Sequence, residues 1–319
     1  MMRIVYVGHG LEPIPPQGWG AVEHVIWQYA QRLQAMGHQV DIVNKRRWKA
    51  VLAVIRERQR GPIDVVHCHA EKPVLALSRL AKPLGFTLVS TNHVPFDPRG
   101  EALYSRKAVR RCAPAPNHFA LRADYREAVL ALNPGARVSH FPNGVEVMRF
   151  AHGMPSNGRA IYVGRVQDRK RQNEVATLLE AAGVDIDFVG PMDKGYEPNE
   201  ALRKRWIGSW NKEELYANLG KYGCLVLLSR LEGQPLVVVE ALAAGLPVVV
   251  SPDCAQNLDR DQPFIFVVDD ESEVPTAVTS ALALPREVRL AARQYAEDVF
   301  DYDRLVVRYL RQLEEWRRA

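Results

Sequence analysis

The 319-residue chain is 25% charged and 47% hydrophobic, the values of a globular protein, and it is long enough for two domains that each bury a core. Its net charge of +5 divides unevenly. Residues 1–150 hold 21 Lys and Arg against 11 Asp and Glu, whereas residues 151–319 hold 21 against 26, which implies different partners for the two halves. Cys68, Cys112, Cys224 and Cys254 show no CxxC spacing and read as reduced, buried thiols of a cytoplasmic protein. The opening MMRIVYVG reads as a first strand rather than a signal peptide. The most apolar stretch is broken by Glu240, Gly245 and Pro247, which excludes a bilayer span.

In chain order, the first half alternates strand and helix signals. IVYVG is followed by a helix over about 21–36, then QVDIV, a basic helix, DVVHCHA, a short helix near 75–84, TLVSTNH and a helix around 102–112. The loop-like AHGMPSNG, near 151–159, marks a boundary. The second half repeats the alternation with AIYVG, a helix over 172–182, DIDFVG, RWIGSW, a helix over 212–219, CLVLLS, PLVVVEALAAG, FIFVV and helices near 274–284 and 286–300. Strands alternating with helices predict two mostly parallel sheets of α/β class, with a cleft at the carboxyl ends of their strands. The division expected is 1–152, 153–298 and a final helix over 299–319.

Within the helix of the basic segment WKAVLAVIRERQR, Trp48, Val51, Leu52 and Ile55 share one stripe, expected to dock on the sheet. Lys45, Arg46, Arg47, Lys49, Arg56, Arg58 and Arg60 surround it, and Arg106, Lys107, Arg110 and Arg111 form a second basic group. Two such clusters on one domain suit an anionic membrane surface, as at the inner face of the plasma membrane, or an anionic acceptor glycan.

Chemistry concentrates in LVLLSRLEGQPLVVVEALAAGLPVVVS, residues 225–251. A buried strand runs into Gly233 and Pro235, and a helix follows until Gly245 and Pro247 stop it. Glu232 therefore lies in a strand-to-helix loop and Glu240 on the helix. The loop's free N–H groups and the positive helix end suit a phosphate, while the two acids suit hydroxyls, as on a sugar joined to a nucleotide.

Glu232 and Glu240, with seven residues between them and followed by ALAAGLPVV, resemble the Glu-x7-Glu signature of retaining glycosyltransferases of family four, which adopt the GT-B fold. The resemblance implies two Rossmann-like parallel-sheet domains facing across a cleft. The first would bind the acceptor and the second the nucleotide-sugar donor, and the C-terminal helix would cross back onto the first. GRVQDRK, residues 164–170, resembles the family's G-R-x4-K element, in which Arg165 and Lys170 neutralise charge growing on the leaving diphosphate. Arg171 stands where the family usually has glycine. By the same resemblance Glu240 bonds the ribose, Glu232 addresses the donor sugar, and Gly233, Gln234, Pro235 and Leu236 approach through backbone groups. The region of Gly208 and Trp210 would hold the nucleobase.

PPQGWGAVE resembles the family's N-terminal loop, with Gly18 and Gly20 permitting close approach to the diphosphate, although Ala21 replaces the second glycine of the usual pair. His93, ending STNH, matches the histidine beside the donor sugar. The acceptor region would include His9, His69, Glu71 and Lys72. His67 and His69 point to one face of a strand, yet no third residue has metal-ligand spacing, so no metal or cofactor is expected. PNGV, 142–145, reads as a structural turn.

The resemblance implies a retaining, metal-independent transferase moving a sugar from a nucleoside diphosphate, UDP before GDP, onto a saccharide or lipid-linked acceptor. A nucleotide-sugar epimerase of the same fold is the near alternative, and a basic nucleic-acid-binding module the distant one. The basic half lacks aromatics interleaved with its arginines, so no nucleic-acid partner is expected.

Overall fold

The computed structural model describes residues 1–18, 20–95, 103–152 and 155–318. Trp19 of the PPQGWGAVE loop, Ala102 at the expected helix start and residues 153–154 of the expected boundary loop lie outside the described residues. The chain forms two compact units, Met1–Asn143 with Tyr302–Ala319, and Gly144–Asp301.

The first unit contains strands β1 (Arg3–Val7), β2 (Gln39–Val43), β3 (Val65–Cys68), β4 (Thr87–Thr91), β5 (Asn117–Ala120) and β6 (Arg137–His140). They form one parallel sheet in the order β2-β1-β3-β4-β5-β6. Helices α1 (Ala21–Ala35), α2 (Trp48–Arg60), α3 (Val74–Leu84), α4 (Leu103–Cys112) and α5 (Ala123–Leu132) connect them. Every residue of β3 and β5 is buried, as a parallel sheet covered on both faces requires.

β5, α5 and β6 were not among the expected elements. β5 reads NHFA, and its Asn117 and His118 are buried polar residues that disguise a core strand. Asn117 donates to the Leu88 carbonyl at 2.9 Å, which offsets part of the cost of its burial, while its Oδ1 meets no partner among the described residues. The α2 stripe also differs from expectation. Trp48 and Leu52 are exposed at 63% and 41%, whereas Ala50 and Val54 are fully buried. The helix docks through Ala50 and Val54 with Val51 packed partly buried beside them, as the stripe anticipates, while Trp48 and Leu52 face outward beside the arginines.

The second unit holds β7 (Ala160–Val163), β8 (Ile186–Val189), β9 (Cys224–Leu227), β10 (Val248–Val250) and β11 (Ile265–Val267) in the parallel order β11-β10-β9-β7-β8. Its helices are α6 (Gln172–Ala181), α7 (Glu200–Arg205), α8 (Lys212–Asn218), α9 (Leu236–Ala243), α10 (Val274–Leu282) and α11 (Arg286–Val299). The residues after Asn143 join this unit because Val145, Val147 and Phe150 lie in its core. PNGV is accordingly not a turn: Val145 donates its N–H to the Phe300 carbonyl at 2.9 Å and bridges Asp301 in parallel.

Helix α12 (Tyr302–Arg318) packs in the first unit against α1. Tyr302, Leu305, Tyr309, Leu313 and Trp316 form its buried face, spaced three or four residues apart as an amphipathic helix demands. Tyr302 meets Tyr29 edge-on with ring centroids 5.5 Å apart, and Trp316 packs on Phe119 at 4.7 Å. All four cysteines are free and buried. No helix among the described residues is long and apolar enough to cross a membrane.

Candidate functional site

In the second unit the chain leaves β7 through Gly164 and Arg165 and turns once over Asp168–Lys170 before α6. The adjacent β9 leads through Ser229 and Glu232 to α9, whose first helical residue is Leu236, with Pro235 as its N-cap. Because β7 and β9 are parallel neighbours, both loops emerge at the carboxyl edge of the same sheet, where ligands of open α/β folds bind.

Lys170 and Glu232 meet there. Both are buried, and Lys170 Nζ lies 2.8 Å from Glu232 Oε1. Arg169 reaches the same oxygen at 3.0 Å and also donates to the Leu231 carbonyl. Burial by itself raises the Glu232 pKa, but Lys170 and Arg169 outweigh it and hold the carboxyl below its ordinary range. Arg165 is 53% exposed and pairs with Asp193 at 3.2 Å. Arg165, Arg169 and Lys170 thus gather at this sheet edge, paired with the carboxylates of Asp193 and Glu232.

Arg171 adopts the left-handed conformation, φ 59°, which supplies a reason for glycine at this position in the family it resembles. Its guanidinium pairs with Glu271. Nearby, Gly190 has φ 146°, and a Cβ there would stand 2.1 Å from the Gly164 carbonyl oxygen. Only glycine lets the turn beneath Arg165 pack so closely.

Eight positions beyond Glu232, Glu240 is buried on α9 and paired with Lys212 of α8. Lys212 also lies 5.5 Å from the Tyr216 ring centre. Gly233 and Pro235 are buried, while Gln234 and Leu236 are partly exposed. Gly208 has φ 91° and accepts at its carbonyl from Gly190 N–H at 2.8 Å. Trp206 donates Nε1–H to the Gly190 carbonyl at 3.0 Å, and Trp210 packs on Tyr222 at 6.1 Å. Asn211 caps α8 in a reciprocal capping box with Glu214.

In the first unit, β3 and β4 carry a stack of histidines at their carboxyl ends. The His67 and His69 rings are 4.2 Å apart, and His69 and His93 5.1 Å. His67 bonds the Tyr309 hydroxyl at 2.9 Å and Thr91 Oγ1 at 2.8 Å. His69 Nδ1 lies 2.8 Å from His93 Nε2. Burial, then repulsion from His93, lowers the His67 pKa to about 3; burial and the neighbouring histidines lower those of His69 and His93.

His9 stands 4.0 Å from buried Glu71, which Arg111 also reaches at 3.3 Å. Lys72 is exposed and Gly18 stands open, whereas a Cβ at Gly20 would meet Glu23 and Pro16 at 3.1 Å. No group of three His, Cys, Asp or Glu among the described residues is arranged to hold a metal ion.

Arg169, Lys212, Arg111 and Tyr309 were not foreseen as partners of these groups. Arg169 lay beside Lys170 in a charge run whose sequence gives no depth. Lys212 is set by how α8 packs, and Tyr309 comes from a helix more than 200 residues distant.

The family model of glycosyl transferases group 1 matches residues 146–259. A glycogen synthase of Mycobacterium tuberculosis is 27% identical, over 59% of this chain and 52% of that protein. The chain therefore spans about half the length of the curated relatives it matches. Among solved structures, sucrose-phosphate synthase from Thermosynechococcus elongatus has a TM-score of 0.80 at 15% identity, covering 99% of both chains. Anabaena HepE, in complex with UDP and glucose, has a TM-score of 0.76 at 14% identity, covering 99% of this chain and 100% of that one. The lipopolysaccharide outer core galactosyltransferase WaaB has 0.69 at 18%, covering 98% and 99%. At these identities the structures share a fold.

Proposed function

We propose, from the premise that this chain has the GT-B fold and carries a glycosyl transferases group 1 domain over residues 146–259, that it is a retaining, metal-independent transferase. Its donor would be a nucleoside-diphosphate sugar and its acceptor a saccharide or lipid-linked glycan. The observation that carries the reading is the pairing of buried Lys170 and half-exposed Arg169 with buried Glu232 beside exposed Arg165.

Cations fixed before the donor arrives need no reorganisation as charge grows on the departing diphosphate. Lys170 and Arg165 would take that charge, and Arg169 would keep Glu232 ionised and oriented toward the sugar hydroxyls. Glu240, with its carboxylate on α9, would bond the ribose after Lys212 turns aside. UDP is favoured over GDP because HepE binds UDP in its complex. His93 would face the donor sugar, with His9, Glu71 and Lys72 toward the acceptor, whereas His69, 3% exposed and bonded to His93, would act through His93 rather than on the acceptor itself. Retention would follow from attack on the face the diphosphate leaves, a phosphate oxygen taking the acceptor proton.

The direct test is Lys170→Ala assayed for donor turnover. A loss of about 100- to 1,000-fold in kcat is expected; a rate near wild type would sink the phosphate role. Turnover unchanged by a chelator is expected too, and an abolished rate would reverse the metal-independent assignment.

Contact of the first unit with an anionic membrane is proposed on a separate observation. Exposed Trp48 and Leu52 sit among Lys45, Arg46, Arg47, Lys49 and Arg56, joining an interfacial aromatic to charges that attract anionic lipid.

A further inference from the structure

Two neutral imidazoles joined nitrogen to nitrogen share a single proton in that bond, so one ring donates and the other accepts. His69 Nδ1 and His93 Nε2 are such a pair, 2.8 Å apart, and burial keeps both rings neutral. His69 has a second nitrogen, Nε2, which is buried and meets no hydrogen-bond partner among the described residues. If it carried the proton, an N–H would be buried without an acceptor, at a cost of about 1–3 kcal/mol. Orphaned buried N–H groups are rarer than under-satisfied acceptors. The proton of His69 therefore belongs on Nδ1, in the bond to His93.

His118, in the same unit, follows the same rule independently. Its Nε2 lies 2.9 Å from the Ala115 carbonyl oxygen, which can only accept, so Nε2 is the protonated nitrogen. The nitrogen left without a partner, Nδ1, is the bare one. The His69 ring is packed on two further sides, tilted against His67 with centroids 4.2 Å apart and against Tyr6 at 5.5 Å.

We propose that His69 is a positioning residue: by donating from Nδ1 to His93 Nε2, it fixes His93 as the Nδ1–H tautomer and so presents an N–H donor to an oxygen of the donor sugar. His93 is partly exposed, and its Nε2 is already occupied by His69, so Nδ1 is the nitrogen left for a ligand. In this state His93 cannot take a proton from the acceptor; it donates a hydrogen bond. The catalytic consequence rests on the reading that His93 faces the donor sugar, whereas the tautomer itself does not.

The experiment is a two-bond proton–nitrogen NMR spectrum of the 15N-labelled full chain, with His93→Gln used to assign the ring. Wild-type His93 is expected to show a bare Nε2 and a protonated Nδ1. His69→Asn, whose amide N–H can donate from nearly the same place, keeps that pattern and most of kcat. His69→Asp can only accept; it moves the His93 proton to Nε2 and lowers kcat at least tenfold. A wild-type His93 protonated at Nε2 overturns the proposal, as does a wild-type kcat in His69→Asp once the proton has moved. The spectrum requires no turnover. Failure of the transferase reading would show separately, as a wild-type chain that transfers no sugar while its His93 tautomer is as stated.

Discussion

Lys170 and Glu232 are stable in the interior only together, because a buried charge that loses its partner is far costlier than one that keeps it. The two truncations are not equivalent, however. Lys170→Ala leaves Glu232 paired with Arg169, whereas Glu232→Ala leaves two cations facing each other. Glu232→Ala is therefore expected to destabilise by about 3–5 kcal/mol and Lys170→Ala by clearly less, as urea denaturation would show. Arg171→Gly should relieve a left-handed non-glycine residue, worth about 1–2 kcal/mol, but it loses the Glu271 pair and adds backbone entropy, about 0.5–1 kcal/mol. A net gain of up to about 1 kcal/mol is expected, and a loss would show that the ion pair outweighs the strain. The buried histidines set the acid response. In the unfolded chain they take protons near 6.5, whereas folded His67 does so only at about 3. Stability is thus lost as pH falls from 6.5 toward 3, by about 1.4 kcal/mol per pH unit for each such ring. Denaturation at pH 7 and pH 5 measures this, and His67→Gln should shrink the difference by one ring's share. Glu232, Lys170 and Arg165 were legible in the sequence because they sit at fixed spacings from strand ends. Arg169 and Lys212 were not, since their depth and reach depend on packing between segments far apart.

Elements were legible where one chemical pattern dominated. β9, α9 and β10 form a nearly unbroken apolar run with Gly and Pro at the breaks, and the strand–helix–strand order follows directly. β5 and α5 were not legible, because a strand with buried Asn and His contradicts the apolar template until its hydrogen bonds are known. The α2 stripe misled for the opposite reason: helical spacing identifies a face by its large apolar residues, but close approach to a sheet is set by small ones such as Ala50 and Val54. Elements also constrain one another through single glycines. Gly190→Ala, with its Cβ driven into the Gly164 carbonyl, should displace the turn after β7 and with it Arg165. The expected outcome is a lower melting temperature together with a raised KM for the donor; a variant with unchanged KM would show that the turn absorbs the shift elsewhere.

At the scale of the molecule, the two parallel-sheet units carry opposite charge balances. The basic residues concentrate in the half that contains α2, so vesicle binding is expected to require anionic lipid and to weaken as salt screens it. Trp48→Ser with Leu52→Ser should reduce cosedimentation with such vesicles while leaving turnover of a soluble acceptor intact; full binding by the double variant would place the contact elsewhere. The alternating order of elements revealed the fold class early, and membership of the last helix in the first unit was already an expectation of the resemblance, whereas the division at Asn143 needed the structure, since Val145, Val147 and Phe150 lie in the core of the second unit.

That membership has a consequence for synthesis. The first unit is discontinuous: its sheet is complete by Asn143, but the helix that covers Tyr29 and Phe119 begins only at Tyr302. At about 5–20 residues per second on the ribosome, those aromatic surfaces wait roughly 10–35 s for their cover while Gly144–Asp301 emerges as a contiguous, self-sufficient stretch. The unit made first is thus the one finished last, and its apolar face is open to chaperones throughout the interval.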